Sequence, residues 1–261
     1  MNALRFPEWQ RLSPVVLPIA FLVLSIACWQ AMAVHLRSPL IPNLQAVVNE
    51  VQSILNSGIF LKDMLATLQR VGLGLLLAVS LAFILALAMG RKAAAAQFFE
   101  PALIIGLTVP GLVWAVLCVI WFGIGLHGAA VAVALSITPA IALNLIQGVR
   151  SINQELLEVS AILQLPVSAR LRYLWLPGLV AALLSGLRLG LSLAWKVIVL
   201  VEMFGLSSGI GFRLNSEFGA QNVAGVLAWT LSFATVMALI EYTVLGRLEA
   251  HFLRWQRRAQ V

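Results

Sequence analysis

Six apolar runs, each near twenty residues, recur along this chain and limit its architecture more than any other feature. They cover about 14–34, 64–89, 101–122, 129–147, 177–204 and 223–245. As a helix, each is long enough to cross about 30 Å of hydrocarbon. Inside lipid every backbone N–H and C=O needs an internal partner, which leaves helices or a closed barrel. The runs are continuous rather than alternating, and that selects helices. The sequence predicts an all-α polytopic membrane protein with six transmembrane helices, residues 1–261 forming one membrane domain.

Charged residues make up 10% of the chain, against about a quarter in soluble domains, so no sizeable soluble domain is expected. The formal net charge of +7 raises nucleic acid as a partner, but the charges gather in short loops between the runs, which argues against it. Cys28 and Cys118 lie inside apolar runs and have neither disulfide nor metal spacing. Arg5 and Arg11, an apolar run and then Ala31-Met32-Ala33 resemble a signal peptide with its cleavage site. Pro14 and Pro18 interrupt that run, so it is read as a retained first span. Between the first two runs, "HLRSPLIPNLQAVVNEVQSILNSGIFLKD" reads as a turn followed by a short interfacial helix.

Basic residues give an orientation by the positive-inside rule. Arg5, Arg11, Arg91, Lys92, Arg150, Arg170, Arg172, Arg247, Arg254, Arg257 and Arg258 fall on one side, and Arg37, Lys62 and Arg213 on the other. Both termini are therefore expected in the cytoplasm, with the largest cytoplasmic loop at about 148–176.

That loop contains "EVSAILQLPVSARLRYLWLP", residues 158–177. Carboxylates come early in "INQELLEVSAIL", where a helix N-terminus favours negative charge, and Pro166 stops the helix. "SARLRYLWLP" follows as a second short helix with Ser168 as its N-cap. Taken alone, the pair reads equally well as an interfacial amphipathic elbow.

The segment also resembles the cytoplasmic loop of importer permeases of the ATP-binding cassette class. Their pattern is E-A-A, three residues, G, about nine residues, then hydrophobic-x-L-P. Here it reads Glu158-Val159-Ser160, then Gln164, then Trp175-Leu176-Pro177. A glycine at 164 would permit a left-handed backbone between the two helices. With Gln164 followed by Pro166, that turn is expected to be made differently. "RSPLIPNLQAVV", "TLQRVGLG", "FFEPALIIGLTVPGLVW", "IWFGIG", "NLIQGVRSINQELLE" and "VEMFGLSSGIGF" look like further blocks of the nitrate, taurine and aliphatic-sulfonate permease group, in the same order.

The resemblance implies a type I importer permease fold with a cytoplasmic coupling helix, in a bacterial inner membrane. It implies two ATPase subunits, a second permease subunit (identical or related), a periplasmic solute-binding protein and surrounding lipid as partners. This chain would bind no cofactor and catalyse no reaction, ATP and Mg belonging to the partner. Glu155, Glu158, Ser160, Ala161, Gln164 and Pro166 would form the ATPase contact. Solutes implied are small anions such as sulfonate, taurine, nitrate or carboxylate, with pyrimidine or vitamin precursors as the alternative class.

Ionisable groups at membrane depth are costly and often functional. In the fifth run Ala182, Gly186, Gly190 and Ala194 repeat every four residues, a spacing that lets another helix approach closely. Arg188, Ser192 and Lys196 repeat likewise, about 200° around the helix from that stripe. One reading places Arg188, Ser192, Lys196 and Glu202 along the pathway of an anionic solute. The other pairs Arg188 with Glu241, and Lys196 with Glu202 through a bent geometry. Arg70 is expected to snorkel to the headgroups. "FGLSSGIGF", residues 204–212, is either a plain turn or, by resemblance, a periplasmic gate at Ser207, Ser208 and Gly209.

Other chemistries fit poorly. Gly205-Leu206-Ser207-Ser208-Gly209 matches G-x-S-x-G, but it ends a membrane helix instead of joining a strand to a helix. The chain has no G-x-x-x-x-G-K-[ST], so it holds no ATP in a P-loop. His35, His127 and His251 are scattered without metal spacing. An autonomous secondary transporter or channel is the second class, but no repeat relates the halves.

Overall fold

A computed structural model describes residues 16–252, apart from nine side chains that include Ala161. Pro14, Arg5, Arg11 and the arginines at 254, 257 and 258 lie outside the described residues. Among those described there is no strand, and helices joined by short turns make up most of the chain. The helices are α1 (Val16–Leu36), α2 (Leu44–Asn56), α3 (Ile59–Arg91), α4 (Ala93–Thr108), α5 (Gly111–Phe122) and α6 (Leu126–Arg150). They continue as α7 (Gln154–Ile162), α8 (Val167–Arg170), α9 (Leu176–Gly205), α10 (Ile210–Gly219), α11 (Val223–Ile240) and α12 (Gly246–Phe252). Wide π-type turns, Leu171–Trp175 and Glu241–Leu245, run straight into α9 and α12.

Among the described residues five helical stretches are long and apolar enough to span a membrane: α1, α3, α6, α9, and α11 together with its continuation. The expected third span is not one straight helix. It is the pair α4 and α5, which meet at an angle of 102°. The break follows from the Val109-Pro110 dipeptide. A residue before proline is pushed out of the helical region, and Val109 adopts φ −69°, ψ 122°. The interfacial helix read between the first two runs is α2, and Asn43 caps it by accepting from the Ala46 N–H at 2.8 Å.

The core forms around α6, which packs against α3, α4, α5 and α9. Its run of small residues explains the position. Without a hydrophobic drive between helices in lipid, close contact through small residues supplies the packing. Gly74 of α3 faces Val133, where an added Cβ would lie 2.7 Å from the valine Cβ. Gly106 of α4 faces Pro139. The small stripe of α9 lies on α6 as well: Gly186 rests on Asn144 and Ile141, Gly190 on Ile141, and Ala194 is fully buried. At the other margin α1 presents almost all its large side chains outward, Phe21 and Leu24 among them.

Helices α3 and α9 run antiparallel, with contacts at both ends. At one end Arg91, the last residue of α3, lies 4.2 Å over the ring of Trp175, just before α9. At the other, the first turns of α3 meet the last turn of α9. At about 1.5 Å per residue these contacts stand some 30 Å or more apart.

Candidate functional site

Helix α7 and the turn behind it form an elbow at the Arg91–Trp175 end. Helix α7 ends in a Schellman-type cap: the Leu165 N–H reaches back to the Ser160 carbonyl at 3.0 Å. That cap needs a left-handed residue between its two partners, and Gln164 supplies it with φ 49°. The turn is therefore not made differently, as its sequence suggests. A glutamine occupies the backbone conformation that glycine adopts freely, at a cost of roughly 1–2 kcal/mol. Pro166 then opens the next turn, its carbonyl accepting from the Arg170 N–H at 3.1 Å, while the Arg170 Nε donates to the Leu165 carbonyl at 3.0 Å. The π-type turn comes just before Pro177, which has no N–H to offer the carbonyl four residues back.

Glu155, Glu158, Gln164 and Pro166 are exposed on this elbow, whereas Ser160 is buried, only 3% exposed. The side chain of Ala161 lies outside those described. Leu156, Val159, Ile162 and Leu163 are exposed beside the carboxylates, Ile162 at 79%. Sequence reasoning missed this apolar edge, because a helix-forming stretch of such composition gives no indication of which face the bundle covers.

Along α9, Arg188 and Lys196 are exposed and Ser192 is partly buried. Arg188 Nε stands 3.5 Å from Glu241 Oε1, at the start of the second π-type turn. Ser185, Arg188, Leu189, Ser192 and Glu241 line one open groove of about 370 Å³.

Glu202 is not on that face. It is fully buried in a cluster with Asp63, Thr67 and Arg70 of α3, which are 2%, 0% and 8% exposed. Arg70 Nη1 donates to Glu202 Oε1 at 2.6 Å and to the Ser208 carbonyl at 2.8 Å, and Nη2 donates to Ser208 Oγ at 2.7 Å. Thr67 Oγ1 donates to Glu202 at 2.9 Å and accepts from the Ile210 N–H at 3.1 Å. The Gly211 N–H donates to Glu202 Oε2 at 2.9 Å and the Gly209 N–H to Asp63 Oδ1 at 3.0 Å. Arg213 Nε donates to Asp63 Oδ2. Arg70 therefore does not snorkel to headgroups, and Glu202 is bonded to Arg70 in place of Lys196. Breaking one buried pair by removing a single partner costs about 3–5 kcal/mol, since it strands the other charge.

Two glycines fit the segment to the cluster. Gly209 has φ 104°, and a Cβ there would run into the Glu202 carboxylate. A Cβ on Gly211 would lie 2.7 Å from Glu202 Cβ. Of the residues read as a gate, Ser207 is exposed, Ser208 is held by Arg70, and Gly209 is buried. Asp63 and Thr67 were not singled out from the sequence. Their signal is the 63, 67, 70 spacing, which puts all three side chains on one helical face.

The model of the family described as binding-protein-dependent transport system inner membrane component matches residues 74–258. The taurine transport system permease protein of Escherichia coli (strain K12) is 30% identical over 97% of this chain and 94% of its own length. A putative aliphatic sulfonates transport permease protein of Bacillus subtilis (strain 168) is 26% identical over 88% and 84%. A formylaminopyrimidine transport permease protein of Halalkalibacterium halodurans is 25% identical over 92% and 96%. Among solved structures, an amino acid ABC transporter chain superposes with a TM-score of 0.56 at 13% identity, covering 79% of this chain and 97% of that one, which supports the importer permease fold. The family model over residues 74–258 and the whole-length similarity to transport permeases place the chain in the binding-protein-dependent transport system inner membrane component family, among the permeases of ATP-binding cassette importers.

Proposed function

We propose that this chain forms, with a second permease subunit, the translocation pathway of an importer for a small anion, driven by two separate ATPase subunits and supplied by a periplasmic binding protein. The observation that carries this reading is the elbow. It presents the carboxylates Glu155 and Glu158 and the apolar side chains Ile162 and Leu163 outward, while Arg91 over Trp175 and the turn into α9 tie it to the bundle. A stiff, exposed element joined directly to the end of a thirty-residue helix can pass on a push from a soluble motor. Movement of the elbow by the ATPase pair then rocks the paired bundles between inward-open and outward-open states. In this account the elbow and both termini face the cytoplasm, in keeping with the basic residues gathered there.

The reading of the solute class rests on α9. Arg188 and Lys196 are exposed on one side of a membrane helix, and Arg188 opens onto a groove that no other described element fills. In the paired assembly two such faces give a cationic path that favours sulfonate, taurine, nitrate or carboxylate. Two of the relatives named above are taurine and sulfonate permeases, and the pyrimidine relative marks the competing class.

Purification of the chain with its cassette subunits, followed by subunit mass measurement and uptake assays in vesicles, tests the assembly. Two permease copies or one related pair, two ATPases, and anion uptake that requires ATP and the binding protein are expected. A chain that never associates with an ATPase contradicts the reading.

A further inference from the structure

We infer that Asp63, Thr67, Arg70 and Glu202 are positioning residues that fasten segment 206–213 to the ends of α3 and α9, so that it travels with those helices and does not open as a separate flap. The bonding is nearly complete. Three consecutive backbone donors, those of Gly209, Ile210 and Gly211, each find a side-chain acceptor, on Asp63, Thr67 and Glu202 respectively. These are the donors at the start of α10, which have no partner within a helix. Here side chains of two other helices cap them. The Ser208 carbonyl and hydroxyl both go to Arg70.

Charge closes the arrangement: two carboxylates face two guanidiniums, Glu202 with Arg70 and Asp63 with Arg213. Lifting the segment alone would break at once the bonds from the Gly209, Ile210 and Gly211 N–H groups, both Ser208 bonds to Arg70 and the Arg213–Asp63 pair. It would strand the buried Asp63 without Arg213 and take the Gly211 N–H from Glu202, which would keep only its α3 partners Arg70 and Thr67. Movement of α3, α9 and the segment as one body breaks none of them. An outer opening in this protein therefore lies between subunits or between whole helices, and 206–213 forms a fixed part of its rim. The consequence for transport rests on the importer reading; the fastening itself does not.

Hydrogen exchange of the complete transporter in membrane mimetic tests this on the unmodified protein, read by mass spectrometry at peptides covering 206–213, in the resting and orthovanadate-trapped states. Amides 209–211 should exchange slowly in both states, with rates within about twofold, while peptides of the elbow differ between them. Exchange at 209–211 that rises tenfold or more in one state overturns the inference. An elbow that does not respond to trapping counts against the importer reading alone.

Glu202→Gln and Asp63→Asn supply the second arm. Each should speed exchange at 209–211 by at least tenfold, and the pair Asp63→Asn with Arg213→Gln should recover part of the protection lost in Asp63→Asn. Unchanged exchange in both single variants removes the positioning role. A variant that fails to assemble leaves the wild-type comparison to decide.

Discussion

Arg70 and Glu202 lie 132 positions apart in the chain and meet at 2.6 Å, with Glu202 wholly buried. The contact joins the first turns of α3 to the last turn of α9, and the same guanidinium holds the Ser208 carbonyl. Its energetics differ from those of the exposed Arg188–Glu241 pair, at 3.5 Å. The latter is partly exposed, whereas removal of Arg70 from the former leaves Glu202 only the neutral donors of Thr67 and Gly211.

Arg70→Ala is accordingly expected to cost about 3–5 kcal/mol, because it leaves the Glu202 carboxylate buried and unpaired. Thermal unfolding in detergent should show a clear loss of stability, and removal of both members, Arg70→Ala with Glu202→Ala, should be milder than the single change. Equal or greater damage in the double variant would show that the pair is not coupled.

At the elbow, Gln164 carries φ 49°. Gln164→Gly relieves left-handed strain of roughly 1–2 kcal/mol but frees the unfolded chain by about 0.5–1 kcal/mol, so stability should rise by about 0–1.5 kcal/mol. ATP-driven uptake should persist. Gln164→Val places a β-branched side chain in that conformation, and uptake should fall severalfold while the protein still reaches the membrane. Equal uptake by the two variants would mean that the turn does not matter to coupling.

Gly190 sits against Ile141, where a Cβ would approach Cδ1 to 2.6 Å. Gly190→Val overpacks this contact and should cost about 1–3 kcal/mol, read as a lowered unfolding temperature in detergent. The same change at Gly72, which has open space around its Cβ position, should cost distinctly less.

The architecture was legible from the apolar runs because span length and continuity are physical requirements of lipid. The bend between α4 and α5 was hidden by that same signal. Residues 101–122 are apolar enough to cross as one helix, and the weight given to length concealed the break that Val109-Pro110 introduces. The small stripe of α9 could be read from four-residue spacing. Its partner, α6, could not, since a periodic pattern names a face without naming the neighbour.

The buried cluster was half legible. Glu202 and Arg70 stand out as charges in apolar sequence, but pairing across 132 positions is a tertiary fact. Asp63 is concealed because the apolar run begins at Met64, whereas α3 begins at Ile59. At the elbow, the exposure of Glu155 and Glu158 agrees with a helix lying on the surface. The burial of Ser160 on the same helix is a tertiary fact that no local pattern records.

The anion reading depends on α9. Lys196→Gln should lower uptake of an anionic solute by about tenfold, equivalent to roughly 1.4 kcal/mol, if the ammonium contacts the solute in transit. Protein level and ATPase activity without solute should stay near the parent values. Unchanged anion uptake would move Lys196 off the pathway.

The central claim is that this chain transports only when a separate ATPase drives its elbow. Reconstitution into liposomes tests it most directly, with the polypeptide alone in one set and the chain with cassette subunits, binding protein and ATP in the other. The account predicts solute accumulation in the second set and none in the first; saturable flux through the polypeptide alone would contradict it.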